Sequence, residues 1–215
     1  MEYKVKNGVG IIPQGTKNIV TEAFANCEEL TAIEIPEGVT SIDQRAFEGC
    51  TNLRDISFPS TLEFIDTFVF TACESLARVE FPKSLKSVGY QPFLGAGIEE
   101  LVLHFSNPDD FKSSSENGLK DILNIVTRRI VVPDGSLDTF TQYIKDKFCT
   151  SYEKDTRDRL LDILVEESEA KREKTAKTIK GEAKKKQGEI DIKKNIKWII
   201  LGLIALWLIL QLLIG

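Results

Sequence analysis

One histidine and four cysteines among 215 residues leave little material for a metal centre or a histidine-dependent catalytic triad. No Ser or Cys nucleophile has a base at recognisable spacing. No glycine-rich loop of the phosphate-cradling kind is present. A hydrophobic content of 42% argues against wholesale disorder, and the glycine count against a collagen-like chain. The first eight residues, Met1 to Gly8, lack the charged start and apolar run of a secretory signal. Residues 198–215 lack charge of either sign. No catalytic residue, cofactor site or metal site is read from the sequence.

The charge that is present is unevenly placed. Residues 1–170 hold 17 basic and 29 acidic groups, a net of −12. Residues 171–197 hold eleven basic and four acidic groups, a net of +7. The formal total of −5 therefore describes no part of the chain. The uncharged run that follows is 18 residues long. As a helix it spans roughly 27 Å, near the thickness of a hydrocarbon core. Trp198 stands where an interfacial aromatic belongs, and Lys193, Lys194 and Lys197 flank the run on its N-terminal side. With no earlier insertion signal, this is the layout expected of a tail-anchored protein. The positive-inside rule predicts residues 1–197 in the cytoplasm.

A period of 23 residues runs through the acidic part. Phe24, Phe47, Phe70 and Phe93 share one register, and Cys27, Cys50 and Cys73 another, with Ala96 in the fourth place. Leu30, Leu53 and Leu76 follow, then Ile33, Ile56 and Val79, then Ile35, Phe58 and Phe81. Pro13, Pro36, Pro59 and Pro82 recur in step. A period of this length with this apolar spacing means a solenoid, because one unit cannot bury these faces alone. Within a unit, Ile33-Glu34-Ile35 alternates as a short half-buried strand does, and the Pro after it ends the strand. Val39 and Ile42 begin a return path. Ala46-Phe47, Cys50 and Leu53 have the spacing of a short helical turn. The fourth unit is degenerate, with Pro92 in place of the Ala.

The run Ala46-Phe-Glu-Gly-Cys-Thr-Asn-Leu-Arg-Asp-Ile-Ser-Phe-Pro59 and its neighbours resemble the BspA-type leucine-rich repeat, over about residues 9–104. Ile130 to Phe140 looks like the strand-Pro-Gly-Ser-helix segment that often closes such arrays. The resemblance implies a right-handed solenoid that binds other macromolecules through its strand face. Many members are bacterial surface proteins, and the chain departs from those in having no secretion signal.

Cysteines spaced by the repeat period have no ligand pattern, so Cys27, Cys50 and Cys73 read as a buried structural column of reduced thiols. Cys149 reads as structural too, within a capping helix. His104 falls where Pro recurs and reads as a cap residue. Gly8 to Gly10 reads as a turn.

In the strands, residues alternating with the buried ones point outward. Ala32 and Glu34, Asp55 and Ser57, Arg78 and Glu80, and Glu100 and Val102 then form two exposed ladders, mostly acidic, suited to a basic protein partner. A second short segment exposes Thr40, Glu63 and Lys86, with Phe64 beside them, either as an interface anchor or packed between units. A helix is expected over Leu119 to Thr127, and another around the apolar cluster Leu160, Leu161, Ile163 and Leu164. Beyond Glu167 the sequence reads as a charged, partly helical stalk. Its basic groups suit anionic lipid or a topology signal better than nucleic acid, for which no aromatic platform or fold is present.

The expected organisation is a mixed α/β leucine-rich-repeat solenoid over 1–104, a helical capping region over 105–166, a basic stalk over 167–197 and one transmembrane helix over 198–215. The expected function is a non-enzymatic, membrane-tethered adaptor that binds a protein through Glu34, Asp55, Ser57, Phe64, Arg78, Glu80 and Glu100. The alternative is a surface-displayed adhesin.

Overall fold

The computed structural model describes residues 3–113, 119–178 and 180–181. The expected transmembrane run, with Trp198 and the flanking Lys193, Lys194 and Lys197, lies outside them. Among the described residues no helix is long and apolar enough to cross a membrane.

Each repeat makes two short strands. The first strands are β2 (Val9–Ile11), β4 (Ala32–Glu34), β6 (Asp55–Ser57), β8 (Arg78–Phe81) and β10 (Glu100–Leu103). The second are β3 (Asn18–Ile19), β5 (Ser41–Ile42), β7 (Phe64–Ile65) and β9 (Ser87–Val88). They pair in parallel at the repeat period, as in Ile33 with Ile56 and Ile42 with Ile65. A hairpin strand, β1 (Lys4–Lys6), pairs antiparallel with β2 and ends the stack. The Gly8–Gly10 segment is thus no simple turn. Val9 and Gly10 continue the columns of Ala32 and Ile33. The second-strand column runs on past residue 104 to β11 (Lys112–Ser113).

The third side of each unit is not the helical turn that the Phe, Cys and Leu spacing predicts. It is a run of tight turns. Two left-handed residues recur in phase, two positions before and two after each Phe of the core: Glu22 and Asn26, Arg45 and Gly49, Phe68 and Ala72. These residues swing alternate N–H groups out of the turn and toward the next unit. Phe24 donates to the carbonyl of Ala46 at 2.8 Å, Phe47 to Val69 at 2.9 Å and Phe70 to Pro92 at 2.7 Å. A helix would have spent those donors within the unit.

The core is a set of columns, one side chain per unit. Phe24, Phe47, Phe70 and Phe93 stack with ring centroids 5.3, 5.2 and 5.1 Å apart and nearly parallel planes. Cys50 and Cys73 are fully buried, and their thiols lie 3.1 and 3.2 Å from the carbonyls of Phe24 and Phe47. Cys27, at the first unit, is half-buried. Unit spacing is tight at Gly89, where a Cβ would stand 2.4 Å from the backbone nitrogen of Thr67.

The cap continues the first-strand column through β12 (Arg129–Val132) and β13 (Leu164–Glu166), both parallel to β10. Helix α1 (Leu119–Ile125) lies within the expected span. The strand-Pro-Gly-Ser-helix segment becomes β12 and helix α2 (Leu137–Lys147), which buries Phe140, Tyr143 and Ile144. Helix α3 (Lys154–Asp162) buries Leu160 and stops there. Leu164 belongs to a strand, not to the expected helix, because the sheet edge offered by β12 takes its backbone. Cys149 is exposed, not structural: α2 ends before it, and the buried Phe148 takes the inward position. This first compact unit runs to Ser168. The second begins at Glu169, and its described residues are helical.

Candidate interaction face

The first-strand sheet turns two columns outward. Glu34, Asp55, Ser57 and Arg78 are exposed, while Glu80 and Glu100 are half-buried. Val102 is buried at 6% exposure, so the expected ladder stops short of it. At the other end the columns begin with Val9 and Ile11, which are 46% and 45% exposed. The face therefore has an apolar start and a charged middle. Val9 and Ile11 are absent from the expected ladders because Gly8 to Gly10 reads as a turn in sequence, although Val9 stands one period before Ala32.

The charged middle is not simply acidic. The guanidinium of Arg78 donates from Nε to Glu100 at 2.8 Å and pairs with Glu80 at 2.7 Å. The other oxygen of Glu80 lies 2.7 Å from Nε2 of His104. Burial alone would raise the Glu80 pKa, but the bonds from His104 and Arg78 outweigh it and hold the carboxyl below its ordinary value. His104 is thus a partner of the face and not only a cap residue. Among the described residues, Glu34 and Asp55 stand in no ion pair. They carry the free negative charge of the face.

The first-strand sheet is broken. One sheet runs β1-β2-β4-β6 and another β8-β10-β12-β13, whereas the second-strand sheet is continuous. Asp55 donates to Thr31 and Ser57 accepts from Ile35, so both face β4, and Ile56 turns its backbone groups toward β8 by alternation. Ala77 accepts from Glu100, so Arg78 and Glu80 turn theirs toward β6. No backbone hydrogen bond joins β6 to β8. Ile56 is only half-buried there, although Ile33 and Val79 in the same column are 3% and 1% exposed. Phe58 and Phe81 face each other at the strand ends with ring centroids 6.4 Å apart. Strands pair at about 4.8 Å. This is the one step of that column where two aromatic rings meet, Ile35 standing one unit earlier.

Two clefts open along the break. One of about 360 Å³ is lined by Val9, Ile33, Glu34, Arg54, Asp55 and Ile56. The other, of about 550 Å³, is lined by Glu37, Phe58, Ser60, Glu80 and His104. They meet at Ile56, Ser57 and Arg78.

Phe64 is not part of this surface. It lies on β7, in the other sheet, 44% exposed, between Ser41 and Ser87. Lys86 reaches over its ring at 6.0 Å while also pairing with Glu63 at 2.8 Å. Of the seven predicted partner-binding residues, six share one face and Phe64 belongs to another. Among the described residues no group of three or more His, Cys, Asp or Glu gathers as a metal-holding cluster.

A family model described as the BspA type leucine rich repeat region matches residues 8–117 in six copies. The chain belongs to the BspA-type leucine-rich repeat family. Proteins of this family are generally non-enzymatic binding proteins, and no catalytic family is indicated. This BspA-type chain is similar to the crystal structure of the T. pallidum leucine-rich repeat protein, at 28% identity and a TM-score of 0.50 over 59% of this chain and 58% of that one. It is also similar to a leucine-rich cell surface protein of Faecalibacterium prausnitzii A2-165, at 25% identity and a TM-score of 0.48 over 63% of this chain and 34% of that one. A leucine-rich repeat protein of Bacteroides capillosus ATCC 29799 matches at 25% identity and a TM-score of 0.36, over 39% of this chain and 59% of that one. The chain spans less than two thirds of the length of these relatives. No curated protein matches the chain.

Proposed function

We propose that this BspA-type chain is a membrane-tethered adaptor that binds a protein partner on its first-strand face. The observation that carries this reading is the set of exposed side chains on that face, apolar at Val9 and Ile11 and negative at Glu34 and Asp55. The tether is the uncharged run 198–215, with the basic stretch 171–197 beside it. Lys193, Lys194 and Lys197 favour a cytoplasmic repeat unit, and the basic stretch adds attraction to anionic lipid of roughly 1 kcal/mol per group near the surface.

Glu34 and Asp55 are the residues to reverse, because their charge is not spent inside the fold. Crosslinking on native membranes identifies the partner first. The variant Glu34→Lys with Asp55→Lys is then expected to keep its melting temperature and lose that partner. Retention of the partner by a folded double variant rejects this face. Removing residues 198–215 is expected to release the protein from membranes. Digestion of the repeat unit by protease added outside intact cells would reverse the orientation and leave a surface-displayed binder, the adhesin reading.

A further inference from the structure

We propose that Tyr3 stands in for a repeat unit ahead of the first, and so closes this end of the stack to a second copy of the chain. This stop is separate from the strand face. In each later unit one backbone N–H reaches back across the step. Asp43 donates to the carbonyl of Ile19 at 2.8 Å, Asp66 to Ile42 at 2.9 Å and Gly89 to Ile65 at 2.7 Å. Val20 holds the same place one period before Asp43, but β3 is the end strand of its sheet. The Val20 N–H donates instead to the Tyr3 hydroxyl, at 3.3 Å. That hydroxyl in turn donates to the carbonyl of Asn18 at 3.2 Å. One O–H thus meets a donor and an acceptor of the open edge, as the peptide groups of a further strand would.

The ring makes a second substitution. Phe47 stacks on Phe24 from the following unit, and Tyr3 meets Phe24 edge-on with centroids 5.4 Å apart. Phe24 is left only 5% exposed at the end of its column. The same stretch of chain closes the other sheet. There β1 covers β2 and carries the exposed Lys4 and Lys6. Without these residues the first unit would present what each unit presents to its neighbour: strand edges, a phenylalanine ring and aliphatic columns. Two such ends match each other across a two-fold axis, which makes a second copy the fitting occupant. With residues 3–6 in place, that approach finds the β3 edge already bonded and sets lysine against lysine.

Tyr3→Phe keeps the ring and removes the hydroxyl. In the full-length chain, amide exchange at residue 20 is expected to quicken about fivefold, with residue 43 unchanged. Unaltered exchange at residue 20 overturns the proposal. So does equal quickening at residue 43, since Tyr3 then holds the whole unit and not its edge. Removal of residues 2–7 joins Met1 to Gly8 and opens both edges. In detergent this chain is expected to sediment at twice the mass of the intact chain at equal concentration, and to return to the intact mass on dilution. A folded chain that keeps the intact mass at every concentration overturns the stop. If the shortened chain does not fold, Tyr3→Ala with Lys4→Ser and Lys6→Ser gives the same comparison with β1 kept in place.

Discussion

A thiol buried beside a carbonyl in two successive units packs the solenoid and is poorly placed to react. Burial pushes the Cys50 thiol up from 9.0 to about 11, and the same cause raises Cys73 further. Both therefore stay protonated and closed to reagents at about pH 8, whereas Cys149 is exposed. Maleimide added to the native protein is expected to label Cys149 first, and Cys50 and Cys73 only on unfolding. Early labelling of Cys50 would count against the column. The raised pKa also sets a pH dependence. A folded state that favours the protonated thiol keeps that contribution below pH 9 and loses it as the pH rises toward 11. Urea midpoints are expected to fall over that range, and less steeply in a variant carrying Cys50→Ala and Cys73→Ala.

Elements in this molecule are held by what lies one period away, and the cap is the exception. Its strands continue the stack, but one joint between its helices is a single side chain. Arg159 of α3 donates to the carbonyl of Asn124 at 3.0 Å and to that of Val126, so one guanidinium closes the C-terminal end of α1. Removing it leaves the α1 carbonyls without that donor, at a cost of about 1–3 kcal/mol. Arg159→Ala is expected to lower stability by that amount in chemical denaturation, while Arg157→Ala, whose partner is its exposed neighbour Asp158, changes little. Equal losses would show that the brace carries no special weight. This contrast also explains what the sequence could tell. Phe24, Phe47 and Phe70 announce their columns because each makes the same contact as the next. The turns beside them carry no such signal, because Glu22 and Arg45, both side chains common in helices, occupy left-handed positions that only the next unit's carbonyl makes worthwhile. Leu164 looked helical because nothing local marks it as the next partner of β12. The break was hidden for the same reason. Phe58 fits the apolar column by type, and its consequence comes from Phe81 one period on.

On the scale of the whole molecule, a solenoid whose units touch only their neighbours should lose a unit without losing the fold, provided the phase is kept. Excision of residues 44–66 joins Asp43 to Thr67, which stands one position past Asp66, the equivalent of Asp43 one period later. The shortened chain then stacks β4 directly on β8. Phe47 leaves the aromatic column, and Phe24 meets Phe70 as it met Phe47 before. Ile35, not Phe58, now faces Phe81. Because the break arises where two rings meet in the strand-end column, the first-strand sheet is expected to become continuous in this variant. It should fold cooperatively, with an unfolding m-value lower by roughly one seventh, since exposed area scales with the residues in the folded unit. Amide exchange at residues 78 and 80 should slow relative to the intact chain. An excision one residue longer or shorter turns every inward side chain of the following units out of its column, and that chain is expected not to fold. Should the in-phase excision fold with residues 78 and 80 still exchanging freely, the cause of the break lies in β8 itself and not in the ring it faces.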